Sequence, residues 1–149
     1  MKRKLGLVLV LILVLGLVGV TQAAALPFKI GVVTGTVSQG EEEYQAGAKM
    51  AARYPGSVLH VTYPDNFMQE QETVIGQILQ FAMDPEVKAI VVVQAVPGTT
   101  AAFKQIREFR PDIALIMGLP HEDPDMISGV VDFAVETDQI RRGANIAQL

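Results

Sequence analysis

The stretch Ala89-Ile-Val-Val-Val-Gln-Ala-Val-Pro-Gly-Thr99 decides how this chain folds. Its first five residues are apolar with no polar alternation, and Ile90, Val91, Val92 and Val93 are β-branched. That is how a strand covered on both faces of a parallel sheet reads. Pro97-Gly98-Thr99 then makes a turn, and Ala102, Ile106 and Phe109 recur at helical spacing. A strand, a short polar turn and an amphipathic helix make half of a βαβ unit.

Four more runs of the same kind flank it: Phe28 to Val33, Val58 to Tyr63, Ile113 to Met117 and Val130 to Val135. Tyr44, Gly47, Ala48 and Ala51 share one face of a helix after the first run, and Val74, Ile75, Ile78, Leu79 and Ala82 form a wider stripe after the second. Ser38 stands three residues before Glu41, and Asn66 three before Gln69, which are capping-box spacings and predict helix starts there. Asp84-Pro85 and Arg110-Pro111 stop helices, because the residue before proline is pushed out of the helical region. Gly118 to Ser128 reads as a loop. The pattern predicts an α/β fold with a doubly wound parallel sheet, right-handed crossovers and strand order 2-1-3-4-5.

A helical pattern starts again at Asp138 and continues to Leu149 with no stop signal, so residues 26–149 read as one lobe cut at its end. The alternative is a complete five-stranded domain closed by a short helix.

Residues 1–25 have a different character. Lys2, Arg3 and Lys4 precede 16 residues, Leu5 to Val20, without one polar side chain, followed by Thr21-Gln-Ala-Ala-Ala25. This is the order of a secretory signal helix with cleavage after Ala23 or Ala25, and the run is short of the ~20 residues of a membrane span. An uncleaved anchor is the alternative. Either way the expected location is outside the cytoplasmic membrane, in the periplasm or at the cell exterior.

Without a cysteine the chain has no disulfide framework, thiolate metal site or cysteine nucleophile. Past residue 25 it carries nine basic side chains against 16 acidic ones, a net charge of −7. No basic tract is present, which argues against nucleic acid and against anionic lipid; the membrane is met only through the signal segment if that is retained.

In an open parallel sheet ligands bind outside the carboxyl ends of the strands, where strand order reverses. The loops there contain Thr34, Gly35, Thr36, Ser38 and Gln39; Tyr63, Asp65 and Asn66; Gln94, Pro97, Gly98 and Thr99; and His121 and Glu122, with Glu136 ending the fifth strand. Hydroxyls, amides, an aromatic ring and a few carboxylates are the equipment for holding a small polar molecule. Turn formation and capping alone also account for such residues in loops.

Thr34-Gly35-Thr36 lies where a phosphate loop would, but Glu41, Glu42 and Glu43 fill the first turn of the helix that follows and would repel a phosphate. No GxGxxG or GxxxxGK[ST] occurs. A phosphorelay receiver would need acidic residues after strand one, aspartate after strand three and lysine after strand five; those positions hold Thr-Gly-Thr, Gln94 and Glu136. His121-Glu-Asp-Pro-Asp125 is the densest group of acid–base side chains, yet neighbours in a loop point apart and no HExxH accompanies them. His60 reads as a structural strand residue. No catalytic centre, metal or cofactor is expected.

The segments Phe28-Lys-Ile-Gly-Val-Val-Thr-Gly-Thr36, Thr62-Tyr-Pro-Asp-Asn-Phe-Met68, Gln94-Ala-Val-Pro-Gly-Thr99, Gly118-Leu-Pro-His-Glu-Asp-Pro-Asp125 and Glu136-Thr-Asp138 resemble a family of bacterial exported proteins classed as a domain of unknown function, itself similar to type I periplasmic solute-binding proteins. The resemblance implies the N-terminal lobe of a two-lobed receptor that closes on a ligand, with the chain crossing a hinge over Glu136 to Gly143. It also implies a solute-binding or ligand-sensing role, with a small-molecule ligand and a membrane permease or sensor as partner. Members of that family are commonly about twice this size and often lipid-anchored; this chain lacks the lipidated cysteine. Two other classes stay open: a flavodoxin-like or hydrolase-type enzyme using the His121 loop, and a protein-partner sensor module.

Overall fold

The computed structural model describes residues 25–137. The expected signal helix, the helix starting at Asp138 and most of the hinge segment lie outside the described residues. Five strands alternate with helices: β1 (Lys29–Thr34), α1 (Glu41–Arg53), β2 (Val58–Thr62), α2 (Gln71–Ala82), β3 (Val87–Val93), α3 (Thr99–Phe109), β4 (Ala114–Gly118), α4 (Pro124–Ile127) and β5 (Phe133–Val135). They form one all-parallel sheet in the order β2-β1-β3-β4-β5, the doubly wound arrangement that the sequence predicts.

Strand alternation sorts side chains onto two sides of the sheet. On one side Val33, Ile90, Val92, Leu115 and Met117 pack with Val74, Ile78 and Phe81 of α2 and Ala102, Phe103 and Ile106 of α3 in a single buried cluster. Gly31 lets α2 approach closely: a Cβ there would stand 2.6 Å from Phe81 Cγ, so the ring lies directly over the glycine. On the other side α1 sits over β1 and β2 through Gly47, its one buried residue.

Several local expectations give way to tertiary requirements. Neither capping box forms. Gly40 and Glu70 occupy the N-cap positions without a side-chain cap, Ser38 turns to Asp65, and Asn66 serves through its carbonyl, which accepts from the Gln69 and Glu70 amides. Phe109 is exposed at the end of α3, and Phe103, one turn and a half earlier, fills the core instead. Only Phe133–Val135 of the fifth run is strand, and it is not covered: Phe133 is 67% and Val135 62% exposed among the described residues, while Val130 is buried in the preceding turn. Within the loop from Gly118 to Ser128 a single helical turn forms at Pro124, where Asp123 Oδ1 accepts from the Asp125 amide.

Candidate functional site

Because every strand runs the same way, the loops after β1, β2, β3 and β4 all leave the same edge of the sheet. Hydrogen bonds lace them together in sequence. Thr36 Oγ1 and Ser38 Oγ of the first loop both donate to Asp65 Oδ1 of the second, the latter at 3.0 Å, and Gln39 Nε2 donates to Asp65 O at 2.8 Å. Those donors hold the Asp65 carboxyl below its ordinary range, the Thr36 hydroxyl contributing most. Tyr63 OH donates to Gln94 Oε1 at 3.3 Å, joining the second loop to the third. Gln94 Nε2 in turn donates to Glu43 Oε1 at 3.2 Å, which brings in the first turn of α1. Burial, and secondarily the Glu43 charge, push the Tyr63 phenol up to about 12, so it stays a donor at any physiological pH.

The third and fourth loops are joined differently. Glu122 reaches over the start of α3, accepting from the Thr100 amide at 2.9 Å, from Thr100 Oγ1 at 2.6 Å and from the Gly98 amide at 3.4 Å. Gly98, the N-cap, has φ 98° and no side chain, so a carboxylate from another loop supplies the missing cap. The His121 amide donates to Ala95 O, and the Leu119 amide to Val135 O.

The structure therefore separates the sequence candidates into groups. Thr36, Ser38, Gln39 and Asp65 form one hydrogen-bonded group and Tyr63 and Gln94 another, and the loop after β2, which holds both Tyr63 and Asp65, sets the two side by side as a polar arc across the β1, β2 and β3 ends. Thr34 and Thr99 are fully buried, with their hydroxyls given to Gly35 O and Val96 O. Gly35 and Gly98 serve the backbone: a Cβ on Gly35 would press to 2.9 Å from Tyr63 OH, and Gly98 is left-handed. Pro97 is half-buried beside it, Glu122 is engaged with α3, and Asn66, His121 and Glu136 are exposed. Glu43 is the residue that sequence reading placed only at the helix dipole; its contact with Gln94 makes it part of the arc.

Charge is segregated along the strand direction. The ion pairs among the described residues, Lys29 with Asp84 and Glu86, Lys88 and Arg110 with Asp112, and Arg107 with Asp132, all lie at the opposite edge, where strands begin. At the loop edge Glu41, Glu42, Glu43, Asp65 and Asp123 have no Lys or Arg partner among the described residues. Beside the arc an apolar hollow of about 340 Å³ lies between α1 and the sheet, lined by Val32, Val91, Val93, Ala46, Met50 and the stems of Glu42 and Glu43.

A family model described as "Protein of unknown function (DUF3798)" matches residues 28–149. Two proteins of Treponema pallidum (strain Nichols), each described as "Uncharacterized protein", are similar to the chain. One is 39% identical over 118 residues, covering 74% of this chain and 53% of its own length; the other is 42% identical over 66 residues, covering 44% and 31%. A crystal structure from Clostridium difficile 630, described as a "Putative transcriptional regulator", superposes with a TM-score of 0.71 at 31% identity, covering 81% of this chain and 36% of that one. The chain thus spans about half or less of the relatives it matches.

Proposed function

The chain belongs to the DUF3798 family, and from that premise we propose that it is the ligand-holding lobe of an extracytoplasmic solute-binding or ligand-sensing protein, akin to the first lobe of type I periplasmic binding proteins. The observation that carries the reading is the polar arc: the ends of β1, β2 and β3, neighbours in the sheet, bring hydroxyl, amide and carboxylate groups together at the edge where strand order reverses, which is where ligands bind in open parallel sheets. The signal-like residues 1–25 support an exported location. Acidic groups without basic partners at that edge favour a neutral or cationic small molecule over an anion. The greater length of the relatives leaves room for a second lobe, which would close over this half of the cleft and bury the remaining ligand surface.

The test is a melting-temperature screen of the chain, and in parallel of the longer Treponema relative, against sugars, amino acids, nucleosides and small amines. A bound class should stabilise by roughly 2.7 kcal/mol at a hundredfold excess over its Kd, and Asp65→Ala should weaken that response. A screen in which no class stabilises either protein would defeat the proposal. In a second reading, compatible with the neighbour described as a "Putative transcriptional regulator", ligand occupancy is passed to a protein partner instead of a permease. Both readings use the same crevice.

A further inference from the structure

We propose that Gln94 selects the ligand, by presenting a side-chain amide of fixed orientation to a neutral group that carries a hydrogen-bond donor beside an acceptor. The inference rests on the receptor reading and names what its crevice would recognise. Gln94 directly follows β3, next to the end of β1, so it stands at the strand-order reversal itself. Its backbone is left-handed at φ 52°, a region that glycine occupies freely and glutamine does not. Backbone strain of this kind clusters at binding and catalytic sites.

The amide has one orientation available. Glu43 can only accept, so Nε2 must face it; Oε1 then faces Tyr63, whose phenol donates. Each partner uses one of the two sites on its side of the amide. One N–H and one oxygen lone pair of the same amide are left, a donor and an acceptor on neighbouring atoms of the kind that a carboxamide, a nucleobase edge or adjacent hydroxyls can meet. A carboxylate has no donor for Oε1 and would meet the Glu43 charge. Gly40 makes the arrangement possible, because a Cβ there would fall 2.5 Å from Glu43 Oε2 and 3.2 Å from Gln94 Nε2.

The deciding experiment uses L-glutamine, uridine and D-galactose as neutral probes and L-glutamate, uridine 5′-monophosphate and D-galacturonate as their respective anionic counterparts, six compounds measured by calorimetry on the full chain, Gln94→Gly and Tyr63→Phe. The expected result is that at least one neutral probe binds while its anionic counterpart does not. Gln94→Gly should then lower affinity at least about tenfold with only a small change in melting temperature, since relief of the backbone offsets the lost bonds to Tyr63 and Glu43. Tyr63→Phe should weaken the same probe severalfold by removing one of the two bonds that hold the amide still, again without loss of fold. If a probe binds and Gln94→Gly leaves its affinity unaltered, the selector role is overturned and the receptor reading stands. If none of the six binds, the ligand class named here is wrong, and the broader screen alone decides the receptor reading.

Discussion

His60 Nε2 lies 2.8 Å from Thr34 Oγ1, so the imidazole of β2 is bonded across to the last residue of β1 beneath helix α1. The Thr34 hydroxyl donates to Gly35 O at 2.9 Å, which leaves the imidazole as donor through Nε2–H. The ring also sits 5.4 Å from the Tyr44 ring, and a Cβ on Gly47 would approach its Nε2 to 2.6 Å. One histidine thus sets both the end of β1, where the polar arc begins, and the height of α1 above the sheet.

Gly47→Ala tests that height. Alanine in a helix interior gains up to about 1 kcal/mol over glycine, but here it drives His60 off Thr34 and costs a hydrogen bond of about the same size together with the strain of overpacking. The expected net effect is a destabilisation of about 1 kcal/mol. In a His60→Ala background the same change should become stabilising, and a double-mutant cycle by urea denaturation reads that reversal of sign.

Burial lowers the pKa of His60 below its ordinary 6.5. In the window between that value and the folded-state pKa the unfolded chain binds the proton and the folded chain does not. Stability is therefore expected to be full above about pH 6.5 and to decline as pH falls through the window. His60→Gln should flatten that limb in denaturation curves taken from pH 7.5 to 5; an unchanged slope would place the pH dependence elsewhere.

Glu122→Ala removes the three-donor cap on α3. The loss should be about 1–2 kcal/mol, the range of a helix cap. Amide exchange at Thr99 to Ala102 should quicken ahead of the rest of the chain. Uniform acceleration would instead mean that α3 opens only with global unfolding.

Asp132 accepts from the Leu115 amide at 2.7 Å and from Arg107 Nη2 at 2.6 Å, and Arg107 Nε also donates to Val130 O. The Leu115 amide first, then Arg107, holds the Asp132 carboxyl below its usual 3.8. Its stabilisation is present above pH 4 or so and is lost as pH falls through the folded value. Asp132→Ala leaves the Leu115 amide without this partner and should cost about 1–2 kcal/mol at pH 7. The difference from the parent should shrink in melts taken toward pH 3.

The order of the sheet was legible in the amino acids, because unbroken β-branched runs such as Ala89 to Val93 and the small-residue face around Gly47 have few alternatives to a parallel α/β layer. That the candidate loops gather at one edge followed from that order alone, through the common direction of the strands. Which polar residues meet did not follow. Ser38 and Glu122 show why: in the sequence one is a helix cap and the other a loop acid, yet Ser38 bonds Asp65 some 27 residues away and Glu122 supplies the cap of a helix 22 residues earlier. Hydrophobic periodicity is a local signal and survives in sequence; pairing among hydroxyls, amides and carboxylates depends on distances between separate loops, which only the packed sheet brings within hydrogen-bond reach.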